Sequence, residues 1–244
     1  EISFRTENPP HANALLGGMV GTGKSNVLKD LVYSAAVRYS PDELDLVLLD
    51  FKAGIEFKGF DADESGEGWL PHVSVLGLES DQEYGVAVLR HVADELDRRA
   101  RLFKAAGSAS LARYREASGR TLPRLLVVID EFHMILEGDD DLAEQAADLL
   151  ELIAKQGRAF GVHLLLASQT LSGITGLRTK GDAIFAQFPV RVSLKNSASE
   201  SQLFLSHGNT AAAELAHRGE VIVNRNLGQQ PEHDNVRGLA AYAD

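Results

Sequence analysis

The residues whose types and spacing could do chemistry begin with Gly18-Met19-Val20-Gly21-Thr22-Gly23-Lys24-Ser25, which spells G-x-x-x-x-G-K-S. Glycines let a backbone turn tightly enough for successive N–H groups to point inward at phosphate oxygens. A helix starting at the same point adds partial positive charge. The residues expected to hold ATP are therefore Gly18, Val20, Gly21, Thr22, Gly23, Lys24, Ser25 and Asn26. Lys24 would reach the β- and γ-phosphates, and the Ser25 hydroxyl would bind Mg²⁺. A second feature is the apolar run Leu125-Leu-Val-Val-Ile129, which ends in Asp130-Glu131. Splitting ATP needs a metal anchor and an oriented water, and an acidic pair ending a buried strand can supply both. Asp130 is the expected Mg²⁺ anchor, and Glu131, beside the metal, the general base.

Gln169 ends the next apolar run, 162–168, where it could contact the γ-phosphate or the lytic water. Arg158 lies before that run, at its other end, out of ready reach of its own nucleotide; spacing alone leaves it either an ordinary surface arginine or one that could reach a neighbour's site. Asp130-Glu131-Phe132-His133 also spells the D-E-x-H signature of two-domain helicases. The residues that follow are needed to finish the first sheet, so that reading is set aside, with His133 a packing or hydrogen-bonding residue. The other histidines lack metal-ligand spacing, and no metal beyond Mg²⁺ is assigned.

These groups need rigid elements to carry them. The pattern predicts strands at 12–16, 45–50, 72–76, 125–130, 162–168, 190–194 and 220–223. It predicts helices at 25–39, from an N-cap at Ser80-Asp81 past Phe103, at 110–117, at 142–155 behind the acidic Gly138-Asp139-Asp140-Asp141, and near 199–205 and 210–216. The charged face of the second of these, with Arg90, Arg98 and Arg99, reads as solvated, as does the acidic loop 61–68, expected to be mobile. Strands alternating with helices indicate an α/β fold, a mainly parallel sheet covered on both faces. One domain is expected over 1–244, with a lead-in at 1–10 and an irregular tail at 225–244.

Composition narrows the setting. Of 244 residues 44% are apolar, enough for a sizeable core, and there is no cysteine. A cytoplasmic setting follows as the default, with no membrane contact within this segment. The start lacks both a methionine and a signal-like segment, so a longer parent chain with other domains is expected. A net charge of −11 argues against a broadly basic surface, although a ring can confine its positive charge to a few pore loops.

Taken together, the segments resemble the motor domain of the FtsK/SpoIIIE family, in the FtsK–HerA branch of RecA-like P-loop ATPases. The matching pieces are His11 with Gly17-Gly18, Leu48-Leu-Asp-Phe-Lys52, Leu70-Pro-His72, Glu95-Leu-Asp-Arg-Arg99, Ile129-Asp-Glu-Phe132, Gly157-Arg-Ala159 through Gln169, and Phe188-Pro-Val-Arg191. The resemblance implies a RecA-like fold and a homohexameric ring that hydrolyses ATP between subunits and pulls double-stranded DNA through its pore. It implies Arg158 as the trans-acting arginine, with Arg191 the second choice, and Gln169 as sensor. Many of the family's DNA motors carry an arginine after that glutamine, where this chain has Thr170-Leu171. Arg178 and Lys180 in the same loop are the substitutes expected to touch DNA phosphates. The alternative is the family's protein-secretion ATPase, which moves polypeptides. A non-hydrolysing assembly module is disfavoured by intact Lys24, Ser25, Asp130 and Glu131.

Overall fold

The computed structural model describes residues 2–5, 9–52, 54, 56–62, 65, 68–78, 81–138 and 141–242. The expectations for Ser80, Asp139, Asp140 and much of the lead-in and acidic loop fall on residues outside that set. The chain runs β1 (Ala14–Gly17), α1 (Lys24–Arg38), β2 (Leu44–Asp50), β3 (Val73–Gly77), α2 (Gln82–Ala105), α3 (Leu111–Ser118) and β4 (Arg124–Asp130). It continues through α4 (Asp141–Phe160), β5 (Val162–Ser168), α5 (Gly181–Phe185), β6 (Val190–Leu194), α6 (Ala198–Phe204), β7 (Glu220–Asn224), α7 (Pro231–Asp234) and β8 (Val236–Leu239).

Among the described residues the strands form one sheet in the order β3-β2-β4-β5-β1-β6-β7-β8. Every pairing from β3 to β6 is parallel, while β7 and β8 add an antiparallel edge. Successive side chains on a strand point to opposite faces, and here both faces are apolar. Leu15, Val127 and Ile129 pack with α2 and α4 on one side. Leu16, Leu126 and Val128 pack with Val27, Leu28 and Val32 of α1 on the other. Such double coverage is why these strands read as continuous apolar runs.

Three expectations are corrected. The tail is not irregular: it folds into α7 and β8, and β8 pairs with β7. Helix α4 runs five residues past the expected Lys155, through Gly157 to Phe160. Arg99 is not on a solvated face but 1% exposed, donating to Glu95 (2.7 Å) and to the Phe160 carbonyl (2.9 Å). It ties α2 to the last turn of α4.

One core group sets an acid limit on stability. His163, buried in β5 with Nδ1 against the Ala12 carbonyl, has its pKa lowered to about 4 by burial. Between the usual value near 6.5 and that lowered one, the unfolded chain binds the proton and the folded chain does not, so stability falls as pH falls. The shift corresponds to up to about 3 kcal/mol. Urea unfolding at pH 7 and pH 4.5 should therefore show a steeper loss for the native chain than for His163→Gln, and equal losses would refute this.

Candidate active site

Lys24, Asp130, Glu131 and Gln169 meet at the carboxyl edge of three adjacent strands, β4, β5 and β1, the edge where open α/β sheets bind ligands. The phosphate loop is slung between β1 and α1. It is fixed from β6 by the Met19 N–H donating to the Lys195 carbonyl (3.0 Å) and from β7 by the Gly219 N–H donating to the Thr22 carbonyl (2.9 Å). Gly23 caps α1 at φ +107°, a backbone region that a side chain rarely adopts. Lys24, in the first turn of α1, reaches across β5. Its ammonium binds Asp130 Oδ1 and lies 2.9 Å from Glu131 Oε1.

Glu131 owes its position to a backbone feature that strand alternation does not supply. It sits at φ 50°, ψ 45°, the left-handed region, directly after β4. For a glutamate this conformation is strained, and strain of this kind concentrates at functional sites. The bend turns the side chain toward β5, where Gln169 donates from Nε2 to Oε1 (2.6 Å) and from its N–H to Oε2 (3.1 Å). His133 Nδ1 lies 3.4 Å from Glu131 Oε2 and 2.9 Å from Ser168 Oγ, beside the site as expected.

The two acids differ electrostatically. Burial pushes the Asp130 carboxyl up to about 6, against the pull of Lys24. Burial also raises Glu131, but the Lys24 charge and hydrogen bonds from Lys24 and Gln169 outweigh it and hold Glu131 below the usual carboxylate range. A hard divalent cation fits here: Asp130 Oδ2 is buried with no hydrogen-bond partner among the described residues, and the Ser25 hydroxyl is a second oxygen donor. Mg²⁺ characteristically takes one or two protein oxygens, completing its shell with phosphates and water. Among the described residues no cluster of three acidic or histidine side chains could hold a metal alone.

Several residues of the site were invisible in the sequence. Glu56 accepts the Ser25 hydroxyl proton (2.5 Å), and its own N–H donates to buried Asp50 Oδ2 (2.8 Å). Glu200 holds the loop after Gln169, accepting from Thr170 Oγ1 (2.7 Å) and the Leu171 N–H (2.9 Å). The only available signal was Ser197-x-x-Glu200, which reads as a helix-capping pair. Ser197 does cap α6, but the Glu200 carboxylate is engaged with the loop.

The two candidate fingers are placed differently. Arg158 is exposed, at the end of α4 near the amino edge of the sheet. Arg191 is 6% exposed and donates to the carbonyls of Phe188 (2.7 Å), Phe204 (3.2 Å) and Phe185 (2.6 Å). Burial lowers its pKa to about 10. Serving a neighbour would require Arg191 to abandon those carbonyls, so the second choice is not presented at the surface. Nor are Arg178 and Lys180 a free basic strip. They line a groove of about 280 Å³ together with Asp141 and Glu144, and the Lys180 ammonium is bound to Asp148.

A phosphate loop facing an acidic strand end, with one strand and its glutamine between them, defines a RecA-like P-loop ATPase, a class that works on ATP with Mg²⁺. The family model described as FtsK/SpoIIIE family matches residues 1–173. The chain belongs to that family. It is 32% identical over 213 residues to the ESX-5 secretion system protein EccC5 of Mycobacterium marinum, covering 78% of this chain and 14% of that protein. It is 30% identical over 240 residues to the DNA translocase FtsK of Borreliella burgdorferi, covering 94% of this chain and 28% of that one. The cytoplasmic domain of the Thermomonospora curvata type VII secretion ATPase EccC superposes with a TM-score of 0.77 at 31% identity, covering 95% of this chain and 25% of that one. The chain thus spans a small part of the relatives it matches. Among the described residues no helix is long and apolar enough to cross a membrane.

Proposed function

We propose that this chain is one motor module of a larger ring-forming machine, a homohexamer in its simplest form, that hydrolyses ATP between neighbours and moves polypeptide in a specialised secretion system. The observation that carries the ATPase reading is the meeting of Lys24, Asp130, Glu131 and Gln169 at one sheet edge. Entering phosphates compete for Lys24 and draw it off both carboxylates. Asp130 and Ser25 are the residues that would hold Mg²⁺, which would supply charge neutralisation to the phosphates. Glu131 takes a proton from the attacking water as the bond between the γ-phosphorus and its bridging oxygen breaks. Gln169, bonded to Glu131 through both side chain and backbone, orients that water and registers the loss of the γ-phosphate.

The cargo assignment rests on the secretion relatives and on the loop carrying Arg178 and Lys180. Acidic residues 144, 148 and 151 surround Lys180, whereas a duplex backbone needs cations free to displace counterions. A second reading, a double-stranded DNA translocase, is favoured by the FtsK relative matching nearly the whole chain. The ATPase rate with and without kilobase-length duplex DNA decides between them. Indifference to DNA is expected, and many-fold stimulation would overturn the polypeptide reading in favour of the DNA motor.

Lys24→Ala should weaken binding of ATP and ADP about a hundredfold, the worth of about two charge-assisted hydrogen bonds. Calorimetric titration checks it, and binding within threefold of the native chain, or about 0.7 kcal/mol, would remove Lys24 from the phosphate site.

A further inference from the structure

The phosphate cavity has two more cations at its rim. Besides Lys24, Ser25, Asn26 and Gln169 it is lined by Lys52 and Arg218, with no carboxylate in its wall among the described residues. This is a concentration of positive charge in a chain whose net charge is −11. Neither Lys52 nor Arg218 makes an ion pair among the described residues. Both side chains are exposed, so neither is needed to fill the core.

Their backbones are nonetheless pinned. The Lys52 N–H donates to Oδ1 of fully buried Asp50 (2.8 Å), whose strand pairs with β4 at Asp130. Arg218 lies in the turn before β7. There Glu220 accepts the N–H groups of Ala216 (2.7 Å) and His217 (2.8 Å) and the guanidinium of Arg237 (2.8 Å). The next residue, Gly219, at φ +82°, is bonded to Thr22 of the phosphate loop. The acid beside Arg218 is therefore already committed elsewhere. Arg218 is held against the loop with its own charge unanswered.

We propose that Lys52 and Arg218 are nucleotide-binding residues acting in cis from opposite ends of the phosphate chain. Resting on the ATPase reading above, this assigns each cation its end from strand order. Asp130, Glu131 and Lys52 come from β4 and β2, on one side of β1, and mark the γ end. Arg218 comes from β7, on the other side of β1, and faces the end that ADP and ATP share. Arg218 therefore secures either nucleotide, while Lys52 tells ATP from ADP.

The test is titration of ADP and the slowly hydrolysed analogue ATPγS, each with Mg²⁺, into the native chain, Arg218→Ala, Arg218→Gln and Lys52→Ala. One charge-assisted contact is worth on the order of tenfold in affinity. Both Arg218 variants should weaken both ligands by that factor, and Lys52→Ala should weaken ATPγS alone. Arg218→Gln keeps much of the stem, so near-native binding by it while Arg218→Ala is impaired would overturn the charge assignment. Native affinity in both Arg218 variants, or equal loss of ADP and ATPγS in Lys52→Ala, would overturn the respective end of the proposal. If the native chain binds neither ligand, the ATPase reading itself falls.

Discussion

Glu131→Gln should bind ATP with near-native affinity and fail to split it. The amide keeps the carboxylate's shape and can still accept the Gln169 N–H, and Glu131 approaches the nucleotide only through the water it activates. What disappears is the ability to take a proton, a contribution of about a hundred- to ten-thousandfold for a positioned general base. The geometry argues for the upper part of that range. Lys24 now helps to hold Glu131 below the usual carboxylate range, where it is a weak base. Departure of Lys24 to the phosphates removes the largest restraint and leaves burial opposed by the Gln169 hydrogen bonds alone, so basicity rises when substrate is in place. Phosphate release under saturating ATP, set beside equilibrium binding, separates the two effects. Turnover within tenfold of native would take the general base away from Glu131.

The parts of this site that were legible in sequence are those carried by contiguous residues. The phosphate loop and the Asp130-Glu131 pair need only a strand, a turn and fixed neighbours, and apolar runs announce the strands. Gln169 was legible because it follows such a run directly. What escaped depends on contacts between distant segments. Glu131's left-handed turn brings its carboxylate to Lys24 and Gln169, neither of them near it in the chain. Glu200 carries a helix-capping spacing that conceals its hold on residues 170–172. Strand β8 is four exposed residues with a glycine at their centre, and its order comes from pairing with β7 rather than from any pattern of its own. Gly157 reads as a helix stop, yet α4 passes through it. A Cβ there would lie 2.6 Å from the Val162 carbonyl oxygen as the chain turns back into β5. The glycine is required by that close approach and says nothing about where the helix ends.

The extra turn of α4 bears directly on Arg158, whose replacement by alanine carries the other large expected effect. Strand β5 begins at Val162 beside Arg158 and ends at Ser168 next to Gln169. Seven extended residues span roughly 20 Å, several times the reach of an arginine side chain. Arg158 cannot serve its own phosphates. It is nonetheless held firmly, by Arg99 on the Phe160 carbonyl and by the glycine-dependent turn that follows. An exposed arginine on an anchored backbone at the edge opposite the nucleotide suits a ring whose contacts run head to tail. If it completes a neighbour's site, Arg158→Ala should leave nucleotide affinity intact and cost about a thousandfold or more in rate. Mixing distinguishes this from an effect within one chain. Arg158→Ala subunits keep an intact phosphate loop, and Lys24→Ala subunits keep an intact arginine, so each is inert alone. An interface combining the first's loop with the second's arginine is whole, and random assembly makes about a quarter of interfaces so. Partial recovery on mixing is therefore expected. Native rates from Arg158→Ala, or no recovery on mixing, would end the role in trans. Arg191→Ala is the contrasting control: it removes the guanidinium donor from the Phe188 and Phe204 carbonyls inside the fold, so its first effect should be a lowered melting temperature.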